Sequence, residues 1–312
     1  MSTTKYIPID KNVIDEGMIV GFDLFVSADT DKEVECFKRT GSLITNDEKN
    51  VIDTINTLYV EESQYSYYEE FYKNILESQT QSTYISFEEK SASIYKNASA
   101  VLNDLFMNPE TLANYDVCKK VVNEIVETIL DDGFTIKSLL SIAEHDYYTH
   151  THSINVAIYA LSLGSYIGLS QEALSELGES ALLHDLGKSK INPAIINKKG
   201  KLTEDEFMEI QKHPNLGYAI GMKLGIKNKN ILNGIRHHHE KIDGSGYPSK
   251  MKGKMIPLYA RIIGICDIFD ALTTRRSYKN PMTTFDALKL MKINMKDHID
   301  INLLNKMITM FK

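Results

Sequence analysis

The hydrophobic pattern changes character along the chain. Near the beginning, the short apolar runs Tyr6–Ile9 and Met18–Val26 are bounded by turn residues, which is typical of β-strands. A helix begins with a capping box at Thr45, and Leu58–Val60 follows it as a further predicted strand. Residues 1–60 are therefore predicted to form a small α+β domain.

After residue 60 the apolar positions follow the period of an α-helix. Residues 61–134 are predicted to form a helical connector, whose apolar stripes provide packing surface and could also form a homodimer seam. Residues 135–312 are predicted to be helical apart from loops near 190–203 and 241–258. The expected fold class is thus mainly α, with a small α+β domain and connecting helices before a C-terminal helical domain.

Composition places the chain among ordinary soluble proteins, with 43% hydrophobic and 25% charged residues. No apolar run approaches the ~20 residues of a membrane span, and the first residues lack the apolar core of a signal peptide. The three cysteines are odd in number and lack metal-site spacing, which favours a reducing compartment. A cytoplasmic protein with no membrane partner is the expectation.

The net charge of −7 hides an uneven distribution. Residues 1–135 carry 11 Lys/Arg against 25 Asp/Glu, whereas residues 136–312 carry 24 against 17. The acidic part repels polyanions, so no polymeric nucleic acid is expected as a partner. The basic part suits an anionic substrate such as a phosphate ester, although a lysine-rich face that is merely solvated would give the same balance.

All nine histidines lie between His145 and His298. The most conspicuous groups are the dipeptide His184-Asp185, the run His237–His239 and the acidic pair Asp267 and Asp270. The dipeptide alone is weak evidence, because a histidine bonded to a backbone carbonyl explains it equally well. Asp267 adds weight, because a carboxylate within an apolar helix needs a partner and a metal ion can be that partner. The second half is therefore the predicted enzyme domain.

The motifs of this half resemble the HD-GYP subfamily of HD-superfamily metal phosphohydrolases over roughly residues 136–312. The matching motifs, in order, are His152-Ser153, His184-Asp185-Leu186-Gly187-Lys188, Lys201-Leu202-Thr203, His213-Pro214, His238-His239-Glu240-x-x-Asp243-Gly244-x-Gly246-Tyr247-Pro248, Asp267–Thr274 and Arg276-x-Tyr278. The resemblance implies an all-α bundle and cleavage of cyclic di-GMP, a bacterial second messenger.

The resemblance also implies a site for two divalent ions. One ion would be held by His152, His184, Asp185 and Asp267. The other would be held by His213, His238 and His239, with Asp185 as the bridge. The expected substrate-facing side chains are Lys188, Tyr247, Arg276 and Lys279, and Asp185 and Lys188 are the expected catalytic residues. For Tyr247, contact with a phosphate, stacking on guanine and ordinary loop packing all stay open.

One position departs from part of the family. Some members carry an acidic residue four positions before the first ligand histidine, where it recruits a third metal, and here that position is Tyr148. Two ions are therefore expected, although His150 and Glu144 leave a third open. Five histidines with two carboxylates favour iron, or else manganese, over magnesium. The remaining histidines, His145, His237 and His298, are expected to lie outside the site.

The hypothesis is a cyclic di-GMP phosphodiesterase that attacks its substrate with a metal-bridged hydroxide and is regulated by its N-terminal region. Hydrolysis of another nucleotide or cyclic dinucleotide is one alternative. A non-catalytic module that binds a nucleotide or a signalling protein is another, and it is disfavoured because all seven expected ligand positions are filled.

Overall fold

A computed structural model of the chain describes residues 5–27, 34–55, 57–80, 87–110, 112–130, 151–198, 200–274 and 281–311. The chain divides into two compact units, Met1–Met107 and Asn108–Lys312. The mainly α fold class is confirmed, with one small sheet in the first unit and a helical second unit. Within the described residues, no helix combines the length and the apolar character needed to cross a membrane.

The first unit contains a four-stranded antiparallel sheet in the order β1-β4-β2-β3. Its strands are β1 (Tyr6–Ile9), β2 (Leu24–Ser27), β3 (Val34–Lys38) and β4 (Leu58–Glu61). The strand predicted over Met18–Val26 is shorter than expected, because the N–H of Asp23 donates to the Gln64 side chain (2.7 Å) instead of to a neighbouring strand. β3 was not predicted, because it mixes apolar with charged residues.

The described residues of the first unit also form three α-helices: α1 (Asn46–Thr54), α2 (Tyr65–Thr80) and α3 (Phe87–Met107). The capping box predicted at Thr45 is confirmed, since its hydroxyl accepts from the N–H of Glu48 and its own N–H donates to the Glu48 carboxylate. α2 packs against α3, and both bury apolar side chains, among them Leu102 and Leu105.

The second unit is a helical bundle. Its helices are α4 (Leu112–Leu130), α5 (Thr151–Tyr166), α6 (Gln171–Leu182), α7 (Pro193–Ile196), α8 (Glu204–Ile210), α9 (His213–Lys223), α10 (Lys229–His237), α11 (Leu258–Thr273), α12 (Thr284–Asn294) and α13 (Ile301–Met310). α5 contacts α4, α6, α11 and α13, and α10 contacts α6, α9 and α11. Nearly every described residue of α5 is buried, so this apolar helix forms the centre of the bundle.

α4 packs on α5 and α6 within the second unit. Its apolar side chains are buried there, and at the edge of this contact the Tyr115 hydroxyl donates a hydrogen bond to the Glu179 carboxylate. These apolar side chains therefore cover the chain's own core. The proposed domain divisions after residues 60 and 134 stay predictions, as does a homodimer through these helices.

Two fragments test where the C-terminal helical domain begins. A fragment from Asn108 keeps α4, whereas one from residue 135 loses the buried side chains Cys118, Val121, Val122, Ile125 and Val126. Each such side chain stabilises by about 1.5–3 kcal/mol, so the loss is comparable with a typical total stability of about 5–15 kcal/mol. We expect cooperative thermal unfolding only for the longer fragment. Equal unfolding temperatures would place α4 outside the C-terminal helical domain.

Candidate metal centre

Three histidines at helix ends are oriented in the same way. Each directs its Nδ1 at the carbonyl oxygen three residues earlier. The pairs are His184 with Ala181 (2.7 Å), His213 with Ile210 (2.7 Å) and His238 with Ile235 (2.8 Å). Because a carbonyl oxygen only accepts hydrogen bonds, Nδ1 carries the proton and Nε2 keeps its lone pair. Three imidazoles are thus fixed in the tautomer that binds a metal through Nε2.

The Nε2 atoms of these three histidines point towards one another, and none of them carries a proton that another could accept. The Nε2 atoms of His213 and His238 lie 3.2 Å apart, and Asp185 Oδ1 lies 3.3 Å from His213 Nε2. Facing lone pairs repel unless a cation lies between them, and two nitrogens each ~2.0–2.1 Å from one ion would be separated by this order of distance. Among the described residues, the buried His184 Nε2 and Asp185 Oδ1 have no hydrogen-bond partner. The donor set therefore fits divalent ions.

His152, on α5, is held by a buried carboxylate from α11. Its Nδ1 lies 2.7 Å from Asp270 Oδ2, while Asp270 Oδ1 accepts from Asn155 Nδ2 (2.9 Å) and Thr274 Oγ1 (2.8 Å). Asp270 is 1% exposed. This arrangement orients the imidazole and directs its Nε2 into the cluster, as carboxylates behind metal-binding histidines commonly do.

The donor atoms form two overlapping groups. Ligand atoms within 4.8 Å of one another come from Asp185, His213, His238 and His239 in one group, and from His152, His184 and Asp185 in the other. Asp185 belongs to both. Asp267 adjoins the groups, with Oδ1 3.2 Å from His152 Nε2 and Oδ2 3.8 Å from His239 Nδ1. The structure thus brings together all seven side chains that the sequence selected.

Apart from His152, electrostatics keep the side chains of the cluster in the protonation state that binds a cation. Burial lowers the pKa of His213 to about 4 and that of His239 to about 3, so both imidazoles are neutral near pH 7. Although burial alone would raise the pKa of Asp185, Lys188 and the surrounding histidines hold it well below its usual range. Burial also opposes a charge on His152, but hydrogen bonds to Asp267 and Asp270 raise its pKa to about 10.

Two glycines let the ligand-bearing segments approach one another. A Cβ on Gly187 would lie 2.0 Å from the carbonyl oxygen of His213, so the 3-10 helix Leu186–Lys190 can lie directly on α9. A Cβ on Gly264 would lie 2.6 Å from the carbonyl oxygen of His238, which sets how closely α11 passes the histidine run. Larger residues at these positions would separate the ligands.

The loop after the histidine run covers one side of the cluster. The Tyr247 ring lies 4.8 Å from the His239 ring with 31° between their planes, so packing on a ligand histidine is one role of this tyrosine. Its hydroxyl has no hydrogen-bond partner in the described part of the chain, and burial raises its pKa above the usual value. Glu240 anchors the loop by accepting from the N–H groups of Ser249 (2.6 Å) and Met251 (2.9 Å).

Of the other residues that the sequence analysis named, some lie within the described ranges and some outside them. Lys188 Nζ lies 2.5 Å from Asp185 Oδ2, with 32% of its side chain exposed. His237 faces Glu240 at 3.6 Å and takes no part in either group, and His298 is near Asp243 at the surface. The residues that lie outside the described ranges are Arg276, Lys279, Glu144, His145, Tyr148 and His150.

The expected position of His213 was wrong in one respect. The sequence placed it at the close of the helix that starts after Thr203, but that helix ends at Ile210 and His213 is the first residue of α9. The reason is Pro214, whose missing N–H is tolerated in a first helical turn and disfavoured in a helix interior.

Sequence reasoning assigned no role to Asp270 or Glu240. The sequence could have indicated a role for Asp270, because Asp270 follows Asp267 by three residues and the two therefore lie on the same face of α11. Glu240 belongs to a recognised motif, yet its two backbone partners lie in an irregular loop whose course the pattern does not specify.

The fold and this cluster define an HD-type metal centre, and comparison with known proteins agrees. Residues 135–303 match the family described as HD domain, which is more than half of the chain, so the chain belongs to that family. The HD-GYP resemblance is confirmed by its relatives. The HDG"Y"P protein Bd1817 of Bdellovibrio bacteriovorus shares the fold with a TM-score of 0.71 at 18% identity, covering 98% of this chain and 99% of that one.

Three curated relatives illustrate the sequence similarity. A cyclic di-GMP phosphodiesterase of Pseudomonas aeruginosa is 34% identical over 171 residues, covering 55% of this chain and 41% of the relative. The cyclic di-GMP phosphodiesterase response regulator RpfG of Xanthomonas campestris is 43% identical over 125 residues, covering 39% and 32%. The 3'3'-cGAMP-specific phosphodiesterase 3 of Vibrio cholerae is 39% identical over 210 residues, covering 64% and 45%. The chain thus spans less than half the length of these relatives.

Replacing Asp270 by Asn tests the support of His152. The amide can still accept from Asn155 and Thr274 while its NH₂ faces His152, which would move the imidazole proton to Nε2 and block metal binding there. We expect a ~10- to 100-fold weaker affinity for one ion, measured by titration of metal-free protein. Asp286→Asn, at an exposed helix start, is the matched control. Unchanged affinity for both ions would remove Asp270 from the site.

Proposed function

We propose that the chain is a metal-dependent phosphodiesterase that hydrolyses cyclic di-GMP. The observation that carries the proposal is the pair of overlapping donor groups that share the buried carboxylate of Asp185. Sites of this kind, with two ions near one bridging ligand, catalyse phosphoester hydrolysis. The substrate is suggested by the names of relatives in Pseudomonas aeruginosa, Xanthomonas campestris and Thermotoga maritima.

Two ions are proposed, with Asp185 as the shared ligand. His152, His184 and Asp267 would complete one site, and His213, His238 and His239 the other. In support, Asp185 Oδ1 faces His213 at 3.3 Å, while Oδ2 faces His184 at 3.5 Å and His152 at 3.7 Å. Imidazole-rich donors favour iron, with manganese as the second choice, over magnesium.

The chemistry that divalent ions supply in such a site is the activation of water for attack on a phosphodiester. The exposed edge of the cluster, formed by His152, His239 and Asp267, gives a substrate access, since these side chains keep 18–26% of their surface. Lys188 lies beside this edge and would neutralise charge that develops on the phosphate oxygens. Arg276 and Lys279 are proposed as further phosphate or base contacts, and the Tyr247 hydroxyl as a hydrogen-bond donor.

A second substrate is favoured by one specific observation. The 39% identical relative in Vibrio cholerae is named as specific for 3'3'-cGAMP, and its similarity covers 64% of this chain, about as much as the 63% covered by a cyclic di-GMP phosphodiesterase of the same organism. Both molecules are cyclic dinucleotides whose phosphodiesters require the same metal chemistry, and they differ in one base. A purely binding module is disfavoured, because each of the seven predicted ligands is present in the cluster.

Regulation by the N-terminal region is proposed as well. Residues 1–107 contain no histidine, and the described ones among them contribute no ligand atom to either donor group. Within the second unit, near its beginning, Glu110 pairs with Lys190 (3.4 Å) beside the HD motif and with Lys223 (2.9 Å) on α9. The proposal is that a signal received by residues 1–107, or by a signalling protein bound there, controls activity at the site.

Metal analysis combined with turnover tests the proposal. Asp185→Ala should lose both ions and all hydrolysis of cyclic di-GMP and 3'3'-cGAMP, whereas His213→Ala should lose mainly one ion. The measurements are elemental analysis of anaerobically loaded protein and chromatography of the nucleotides. His298→Ala, whose side chain is 41% exposed away from the cluster, is the control. Full metal content in Asp185→Ala would refute the shared ligand, and metal-loaded wild type without turnover of either dinucleotide would refute the activity.

A further inference from the structure

Phe207 is an aromatic side chain left open to solvent close to the metal centre. It lies on α8, the short helix that precedes His213, and it is 47% exposed. A single exposed apolar side chain is ordinary on a protein surface, so the exposure of Phe207 becomes informative only through its position beside the cluster.

The Phe207 ring is linked to the cluster by two ring contacts. Its centroid lies 6.5 Å from that of Tyr247 in an edge-to-face arrangement with 83° between the planes. The Tyr247 ring in turn lies 4.8 Å from the ring of His239, one of the predicted ligands. A single side chain, that of Tyr247, therefore lies between Phe207 and the cluster.

The charges of α8 indicate which part of a nucleotide it can contact. Its first turn carries Glu204, Asp205 and Glu206, and among the described residues only Glu206 is paired with a lysine, Lys198. Such a helix start disfavours contact with a phosphate because of like-charge repulsion. A neutral planar base, by contrast, stacks on an aromatic ring without requiring a positive charge.

We infer that Phe207 is a stacking platform for one purine base of the cyclic dinucleotide whose phosphate lies at the metal centre. This inference rests on the proposed function and deepens it by assigning a substrate-binding residue on α8. The alternative role is that Phe207 merely supports Tyr247 by packing, which would leave base recognition unaffected by its ring.

The test compares Phe207→Ala, Phe207→Leu and Phe207→Trp in the metal-loaded full chain. Met208→Ala is the matched control, because Met208 is the next residue of the same helix and is 54% exposed. Steady-state hydrolysis of cyclic di-GMP is measured together with calorimetric binding of GMP and of ribose 5-phosphate, which carries a phosphate and a sugar but no base. Metal content is measured for every variant.

Loss of stacking should raise KM for cyclic di-GMP and weaken GMP binding by about 5- to 150-fold in the Ala and Leu variants. Their metal content and their affinity for ribose 5-phosphate should match the wild type, and the Trp variant and Met208→Ala should retain GMP affinity. Unchanged GMP affinity in Phe207→Ala would overturn the inference. So would an equal loss of ribose 5-phosphate affinity or of metal, since both would show a packing role.

The design separates this inference from the proposed activity. Wild-type protein that holds its metals without hydrolysing cyclic di-GMP would refute the activity. The preference of the wild type for GMP over ribose 5-phosphate, and its loss in Phe207→Leu, would then still decide whether Phe207 contacts a base. If the wild type bound GMP no more tightly than ribose 5-phosphate, the inference that Phe207 is a stacking platform would be overturned.

Discussion

Lone pairs that face one another inside the second unit impose the constraint on which the site depends. His184, His213 and His238 are at most 2% exposed, and each has its Nδ1 proton committed to a backbone carbonyl. Their Nε2 atoms and the Asp185 carboxylate therefore point at each other in a space that water reaches poorly. Unpaired buried polar groups are costly, so cations are what make this packing favourable. Metal binding and the native arrangement of the cluster are thus expected to be coupled.

Backbone carbonyl groups do most of the work of orienting these histidines. Helix ends provide carbonyl groups without partners inside the helix, and here such carbonyls orient the ligand imidazoles. Apolar packing around α5 supplies the rigid support, and it brings α5 beside α11, so that Asp270 reaches His152 across 118 positions of sequence. Gly187 and Gly264 then allow the backbones to approach closely enough for the Asp185 carboxylate to belong to both donor groups. The precision of the site therefore comes from the helices as much as from the ligands.

The sequence could predict which side chains gather in the cluster, because a metal site requires particular residue types and these residues occur in recognisable motifs: His152, His184, Asp185, His213, His238, His239 and Asp267. Their roles as ligands stay predictions. The sequence could also predict the α+β character of the first unit from strand and capping patterns. The contacts that orient the cluster could not be predicted from the sequence, since the hydrogen bond between Asp270 and His152 exists only once α5 and α11 pack together. The exposure of the Phe207 ring could not be predicted either, because the periodicity of apolar residues does not tell which of them stays exposed to solvent. Roles for Arg276 and Lys279 stay predictions.

The central claim is that Asp185 is shared between two ions. The most direct measurement is anomalous X-ray diffraction from crystals of the anaerobically metal-loaded protein, with data collected across the iron and manganese absorption edges. The account predicts two anomalous peaks about 3.5–4 Å apart, with the Asp185 carboxylate between them. One of these peaks should lie among His152, His184 and Asp267, and the other among His213, His238 and His239. A single peak in fully loaded protein, or two peaks of which only one contacts Asp185, would contradict it.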